Sequence, residues 1–119
     1  MKFTVATVYV KNMDESLAFY QDVLGIKLQS RRQGGPGSEL AFLGEEGQPQ
    51  IELVYSADRA DTGYAGFSLG FSVDNMEKTL GALLDKGYAD VTIVQPNQSV
   101  TIAHIQDPNG ITISFIATY

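Results

Sequence analysis

The 119-residue chain contains no cysteine, which excludes a disulfide framework, a thiolate nucleophile and a zinc–thiolate site. No apolar stretch approaches the length of a membrane span, and the opening residues 1–4 lack a signal-peptide pattern. We therefore expect a cytoplasmic protein with no membrane partner. Basic residues are also few, with eight Lys and Arg against fourteen Asp and Glu and a net charge of −6. This acidic balance argues against nucleic acid as a partner and would favour a cationic ligand. Solubility alone is a sufficient explanation for the same charge.

Three blocks of sequence recur in the same order at a shift of 62 or 63 residues. The matching ranges are 10–17 with 73–80, 40–43 with 102–105, and 51–54 with 113–116. The segment between the two copies, about 57–63, is small and polar, as is typical of a linker. The sequence therefore predicts a single domain over residues 1–119, built from two tandem modules at about 1–56 and 64–119.

Each module is predicted to consist of a strand, a helix and three further strands. Asn12 and Asn75 occupy the cap positions of two helices with apolar side chains at helical spacing, and Gly25 and Gly87 close these helices. Alternating and β-rich runs predict eight strands, at about 3–10, 26–33, 38–43, 49–55, 67–73, 90–95, 99–106 and 111–118. The predicted fold class is α+β, with two βαβββ modules whose curved mixed sheets surround a cavity.

One face of each sheet must cover its helix, which leaves the opposite face free for a ligand. Leu69, Phe71 and Val73 alternate with small polar residues, so this apolar set is expected to pack on the helix. The repeat extends the assignment to both modules, although a bulge would reverse it. The candidate ligand-binding residues on the free faces are Thr7, Tyr9, Glu52, Ser68, Ser72 and Ser114.

Residues 8–20, which read VYVKNMDESLAFY, and the Val23-Leu24-Gly25 that follows resemble the opening of the glyoxalase/bleomycin-resistance/extradiol-dioxygenase superfamily. Residues 107–110, which read DPNG before the last predicted strand, resemble the C-terminal signature of that superfamily. The resemblance covers essentially the whole chain and implies paired βαβββ modules. It leaves the function open, because the superfamily includes isomerases, dioxygenases, epimerases and metal-free drug-binding proteins.

The resemblance also implies where a metal site would lie. The positions that match the four ligands of the metal-dependent glyoxalases hold Val5, Glu52, Ser68 and Ser114. Only Glu52 is a good ligand for a divalent ion, because valine cannot ligate and neutral hydroxyls supply neither charge nor a nitrogen donor. We therefore predict no metal and no other cofactor. Tyr9 and Ser56 replace an arginine and an asparagine of the glyoxalases, which weakens the case for glutathione recognition.

His104 is the only histidine, so the chain cannot form the two-histidine, one-carboxylate iron site of extradiol dioxygenases. The repeat aligns His104 with Phe42, and the sequence leaves open whether this histidine is a ligand-binding proton shuttle or a structural residue. The glycine-rich stretch from Arg31 to Gly37 predicts a mobile loop at the cavity edge, whose two arginines would meet an anionic ligand.

Three hypotheses for the function remain. The first is a metal-independent protein that binds a small organic ligand, with a cationic one favoured, and sequesters it as a homodimer in the manner of antibiotic-resistance relatives. The second is a cofactor-free isomerase, epimerase or lyase in which Glu52 is the general base. The third is a regulatory or interaction module with a vestigial cavity. The sequence does not distinguish a cavity within one chain from a cavity completed across a dimer.

Overall fold

The computed structural model describes residues 3–57, 63 and 67–119. The chain divides into two compact units, Met1–Gly63 and Tyr64–Tyr119, and each unit contains one βαβββ module. Most of the predicted linker at about 57–63 lies outside the described residues. Within the part of the chain that the structure describes, no helix is long and apolar enough to cross a membrane.

The first module contains one helix and a four-stranded mixed sheet in the order β1-β4-β3-β2. Its elements are β1 (Val5–Val10), α1 (Met13–Ala18), β2 (Leu28–Gln33), β3 (Ser38–Leu43) and β4 (Gln50–Ser56). β1 pairs with β4 in parallel, and the other pairs are antiparallel. Asn12 caps α1 as predicted, since its Oδ1 accepts a hydrogen bond from the Glu15 amide at 2.9 Å.

The first helix does not run as one α-helix to Gly25. After α1 the chain widens into a π-helical segment, Phe19–Val23, in which the Leu24 amide donates to the Phe19 carbonyl at 3.1 Å. In this segment two consecutive aromatic side chains, Phe19 and Tyr20, are both buried and pack edge to face. Gly25 follows at a φ of +70°, a left-handed conformation that glycine adopts without strain.

The second module repeats the architecture, with the sheet order β5-β8-β7-β6. Its elements are β5 (Ser68–Ser72), α2 (Met76–Asp85), β6 (Thr92–Asn97), β7 (Val100–Gln106) and β8 (Thr112–Thr118). Asn75 caps α2 by accepting from the Lys78 amide at 2.9 Å, as Asn12 does in the first module. Pro96 lies in β6, at the sheet edge, where the missing N–H is tolerated because no further strand needs it.

The assignment of sheet faces depends on an unbroken register, and the central strand pairs have one. β1 pairs with β4 and β5 pairs with β8 without interruption, whereas the two irregularities fall in the edge strands β2 and β6. The buried apolar side chains of β1, β4 and β8 therefore fall at the positions expected on the helix side, whereas Leu69 and Phe71 on β5 are only half-buried. The fully buried members of this set are Val8, Val10, Leu53 and Ile113, and Phe115 is 5% exposed.

Candidate ligand sites

Glu52 lies on β4, on the free face of the first module. Thr7 is its register partner on β1, and Thr7 Oγ1 donates a hydrogen bond to Glu52 Oε1 at 2.7 Å in a partly buried position. Across residues 3–57 and 67–119 the structure gives this carboxylate no second hydrogen-bond donor. Glu52 is thus held in place through one oxygen, Oε1, and no described residue donates a hydrogen bond to the other, Oε2.

An aromatic ring lies next to this carboxylate, and a cation lies over that ring. Phe42 on β3 is the register partner of Glu52 on the side opposite Thr7, and the guanidinium carbon of Arg32 lies 5.8 Å from the centroid of the Phe42 ring. Phe42 was not among the residues selected from the sequence, and Arg32 was selected only as part of a loop that would meet an anionic ligand. The repeat held a signal for Phe42, because it aligns this position with His104.

The prediction of a cavity-edge loop is wrong for both arginines at its start, because both lie in β2. Neighbours in a strand point to opposite faces, so Arg31 lies on the helix side while Arg32 lies on the free face. Arg31 bonds both carboxylate oxygens of Glu39, at 3.0 and 3.1 Å, and also bonds Asp14 at 2.8 Å. The hydrogen bonds to Glu39 and then to Asp14 raise the pKa of Arg31 above its usual value. Arg31 is therefore a structural residue that joins β2 and β3 to the start of α1.

A different pair occupies the equivalent place in the second module. His104 on β7 is the register partner of Ser114 on β8, and its Nδ1 lies 2.8 Å from Ser114 Oγ. Ser114 is only 9% exposed. The positions that hold Phe42 and Glu52 in the first module thus hold a hydrogen-bonded imidazole and hydroxyl in the second.

His104 also lines a pocket of about 590 Å³, which is within the usual size range of small-molecule sites. The side chains around it come from the second module and are mostly polar: Asp90, Thr92, His104, Ile105, Gln106 and Thr112. Ser68 and Ser72 lie exposed on β5 and are not part of this lining. Tyr9, two residues along β1 from Thr7, is partly buried on the free face of its own module.

The four positions that would hold a divalent ion do not fit one. Val5 offers only hydrocarbon, one oxygen of Glu52 is engaged by Thr7, and the Ser114 hydroxyl is engaged by His104. Among the residues that the structure describes, no three His, Asp or Glu side chains come close enough together to hold a metal ion. A neutral hydroxyl such as that of Ser68 does not replace the charged or nitrogen ligands that such an ion selects.

Comparisons with known proteins agree with this fold. The family model described as "Glyoxalase/Bleomycin resistance protein/Dioxygenase superfamily" matches residues 2–115. A lactoylglutathione lyase of Haemophilus influenzae is 36% identical over 116 residues, which cover 90% of this chain and 85% of that one. The trypanothione-dependent glyoxalase I of Leishmania major superposes with a TM-score of 0.76 at 22% identity, over 98% of this chain and 86% of that one. TnmS3, an antibiotic binding protein from Streptomyces sp. CB03234, superposes with a TM-score of 0.74 at 17% identity, over 100% and 97% of the two chains.

Proposed function

We propose that this chain, which belongs to the glyoxalase/bleomycin resistance protein/dioxygenase superfamily, binds a small organic cation without a metal ion. The observation that carries the proposal is the position of the Glu52 carboxylate beside the ring of Phe42, which already stacks a cation of the chain itself. A carboxylate held by Thr7 and an adjacent aromatic ring together provide the charge and the π-face that organic cations require. The net charge of −6 would attract the same class of ligand.

The likeness in fold to an antibiotic binding protein supports a binding role, since the superposition covers both chains almost completely. Binding and sequestration need no catalytic group, so the loss of three of the four metal-ligand positions would not impair them. In this reading Tyr9 adds a second aromatic side chain to the free face of the first module. Ser68, Ser72, Ser114 and His104 lie in the second module, are not part of this cation site, and remain proposed contacts of a ligand in that module.

The proposal is tested with three ligands that share a benzyl group and differ in charge: benzylammonium, benzyl alcohol and phenylacetate. We expect benzylammonium to raise the melting temperature of the chelator-treated protein most, because ligand binding stabilises the native state. Glu52→Gln should weaken benzylammonium binding about tenfold, which corresponds to about 1.4 kcal/mol. Glu46→Gln, which makes the same charge change in an exposed turn of the same module, is the matched control and should bind normally.

Arg32 provides a second check, because it competes with a ligand for the Phe42 ring. Arg32→Met should therefore strengthen benzylammonium binding and weaken any binding of phenylacetate. Equal binding of all three ligands, or an undiminished effect in Glu52→Gln, would refute the cation site. If none of the three raises the melting temperature, the regulatory or interaction module becomes the better hypothesis.

A second candidate function is a cofactor-free isomerase or lyase with Glu52 as the general base. The 36% identity to a lactoylglutathione lyase favours it, and so does the carboxylate retained at position 52. Lactoylglutathione lyase activity in chelator-treated protein, lost in Glu52→Gln and unchanged in Glu46→Gln, would support this enzyme. No turnover above the buffer rate would eliminate it for that substrate.

We also propose that the protein is a homodimer in the cytoplasm, by analogy with the drug-binding relatives that the sequence resembles. Light scattering coupled to size-exclusion chromatography measures the mass directly. A mass near twice 12.9 kDa is expected, and a monomer over the whole concentration range would contradict the dimer.

A further inference from the structure

We infer that the pocket beside His104 is a ligand site of its own, for a small neutral molecule rich in hydroxyl groups. This inference goes beyond the cation site, because the residues that the structure describes in the pocket lining all belong to the second module. The pocket lies where β6, β7 and β8 run side by side, with His104 opposite Thr92 and Gln106 opposite Thr112. Neighbouring strands are about 4.8 Å apart, so the polar groups on them form a closely spaced array. A ligand that satisfies this array must itself carry several hydrogen-bonding groups.

The charges around the pocket select against ions. Asp90 is the one acidic side chain in the described lining, which contains neither Lys nor Arg. An anion would therefore meet a like charge and no counter-ion. A cation would find only Asp90, which is solvent-exposed, and exposed ion pairs contribute little. Threonine hydroxyls and the Gln106 amide both donate and accept, which is the pattern that ligand hydroxyl groups complement.

Ser114 gives His104 a fixed orientation in this site. Because Ser114 Oγ engages Nδ1, Nε2 is the imidazole nitrogen left for the ligand. Ser114 is thus a positioning residue that fixes the ring orientation. The serine hydroxyl and the hydroxyl groups of a ligand can each donate or accept, so this arrangement suits either tautomer of the imidazole.

The single histidine makes the test specific, because imidazole signals in nuclear magnetic resonance can come only from His104. Tag-free protein with ¹⁵N-labelled histidine is titrated with myo-inositol and xylitol, and in parallel with acetate and ethylammonium. We expect a saturable shift of the Nε2 signal with a polyol and not with either ion. Thr112→Val should weaken polyol binding about three- to tenfold, the effect of losing one hydrogen bond. Thr118→Val, on the same strand and the same face but at its far end, should bind normally.

Two further variants keep the test decisive if Thr112→Val folds poorly. Gln106→Met changes an exposed side chain and should weaken the polyol by a similar factor. Ser114→Ala removes the hydrogen-bond partner of Nδ1, so it should shift the Nδ1 signal and weaken polyol binding in parallel. The inference is overturned if folded wild-type protein shows no saturable polyol shift, or if acetate or ethylammonium binds at His104 more tightly. It is also overturned if Gln106→Met and Thr118→Val bind polyol equally well.

Discussion

The hydrogen bond between Thr7 and Glu52 should be measurable as a coupling energy. Thr7→Val keeps the shape of the side chain and removes the donor, whereas Glu52→Gln keeps an acceptor oxygen and removes the charge. A hydrogen bond to a charged group contributes about 1.5–3 kcal/mol and a neutral one about 0.5–1.5 kcal/mol. The pair is only partly buried, so the lower half of each range applies.

We therefore expect Thr7→Val to lower the free energy of unfolding by about 1.5 kcal/mol in the wild type and by about 0.5 kcal/mol in the Glu52→Gln background. The difference, a coupling energy of about 1 kcal/mol, reports the charge-assisted part of the bond. Urea denaturation followed by circular dichroism at pH 7 measures all four proteins of the cycle. Thr118→Val, a valine substitution at an exposed strand end, is the control and should change stability by less than about 0.5 kcal/mol.

A coupling energy near zero would refute this account of Glu52. Thr7→Val would then cost the same with or without the charge, and Thr7 would not be what orients the carboxylate. A larger cost for Thr7→Val in the Glu52→Gln background than in the wild type would be equally contradictory, because it would mean that the amide is the better acceptor.

Three further predictions concern the frame that supports the sites. Asn75→Ala should lower the free energy of unfolding by about 1 kcal/mol through loss of the α2 cap, and Asn75→Ser should recover most of it in thermal denaturation. Leu53→Ala should lower the free energy of unfolding, measured by urea denaturation, by about 2–5 kcal/mol, since Leu53 is fully buried. Leu84→Ala, at a position that is 63% exposed, should lower it by less than about 0.5 kcal/mol. Arg31→Met should lower the free energy of unfolding by no more than about 1 kcal/mol, because the ion pairs of Arg31 are partly exposed, and by less at high salt, which screens them. An equal loss of stability at low and at high salt would contradict this.

Most of the fold follows from the repeat. The predicted strands end within two residues of the observed ones, both asparagine caps form, and the buried and free faces alternate as expected. The sheet faces were predictable because side chains alternate with a period of two and the central strand pairs carry no bulge. The π-helical segment Phe19–Val23 was not predictable, because one extra residue in a turn leaves the spacing of apolar residues in a short helix almost unchanged.

The candidate sites were only partly predictable. The repeat placed Glu52 and Ser114 at equivalent positions, but their partners Thr7 and His104 differ in chemistry between the modules. The stacking of Arg32 on Phe42 depends on the register of β2, which an irregularity between Leu28 and Ser30 shifts. The pocket beside His104 draws on the segment from Asp90 to Thr92, for which the repeat offers no aligned counterpart. Contacts of this kind join residues that are far apart in the sequence, so they can be identified only when the strand register of the folded chain is known.

Metal independence is the central claim, and calorimetric titration of the tag-free, chelator-treated protein with Ni²⁺ and Zn²⁺ tests it most directly. At the ligand positions, Glu52 is engaged by Thr7, the Ser114 hydroxyl is engaged by His104, and Ser68 offers only a neutral hydroxyl. We therefore predict no saturable binding of either ion at micromolar concentration. Stoichiometric binding of one ion per chain that is lost in Glu52→Gln and kept in Glu46→Gln would contradict it.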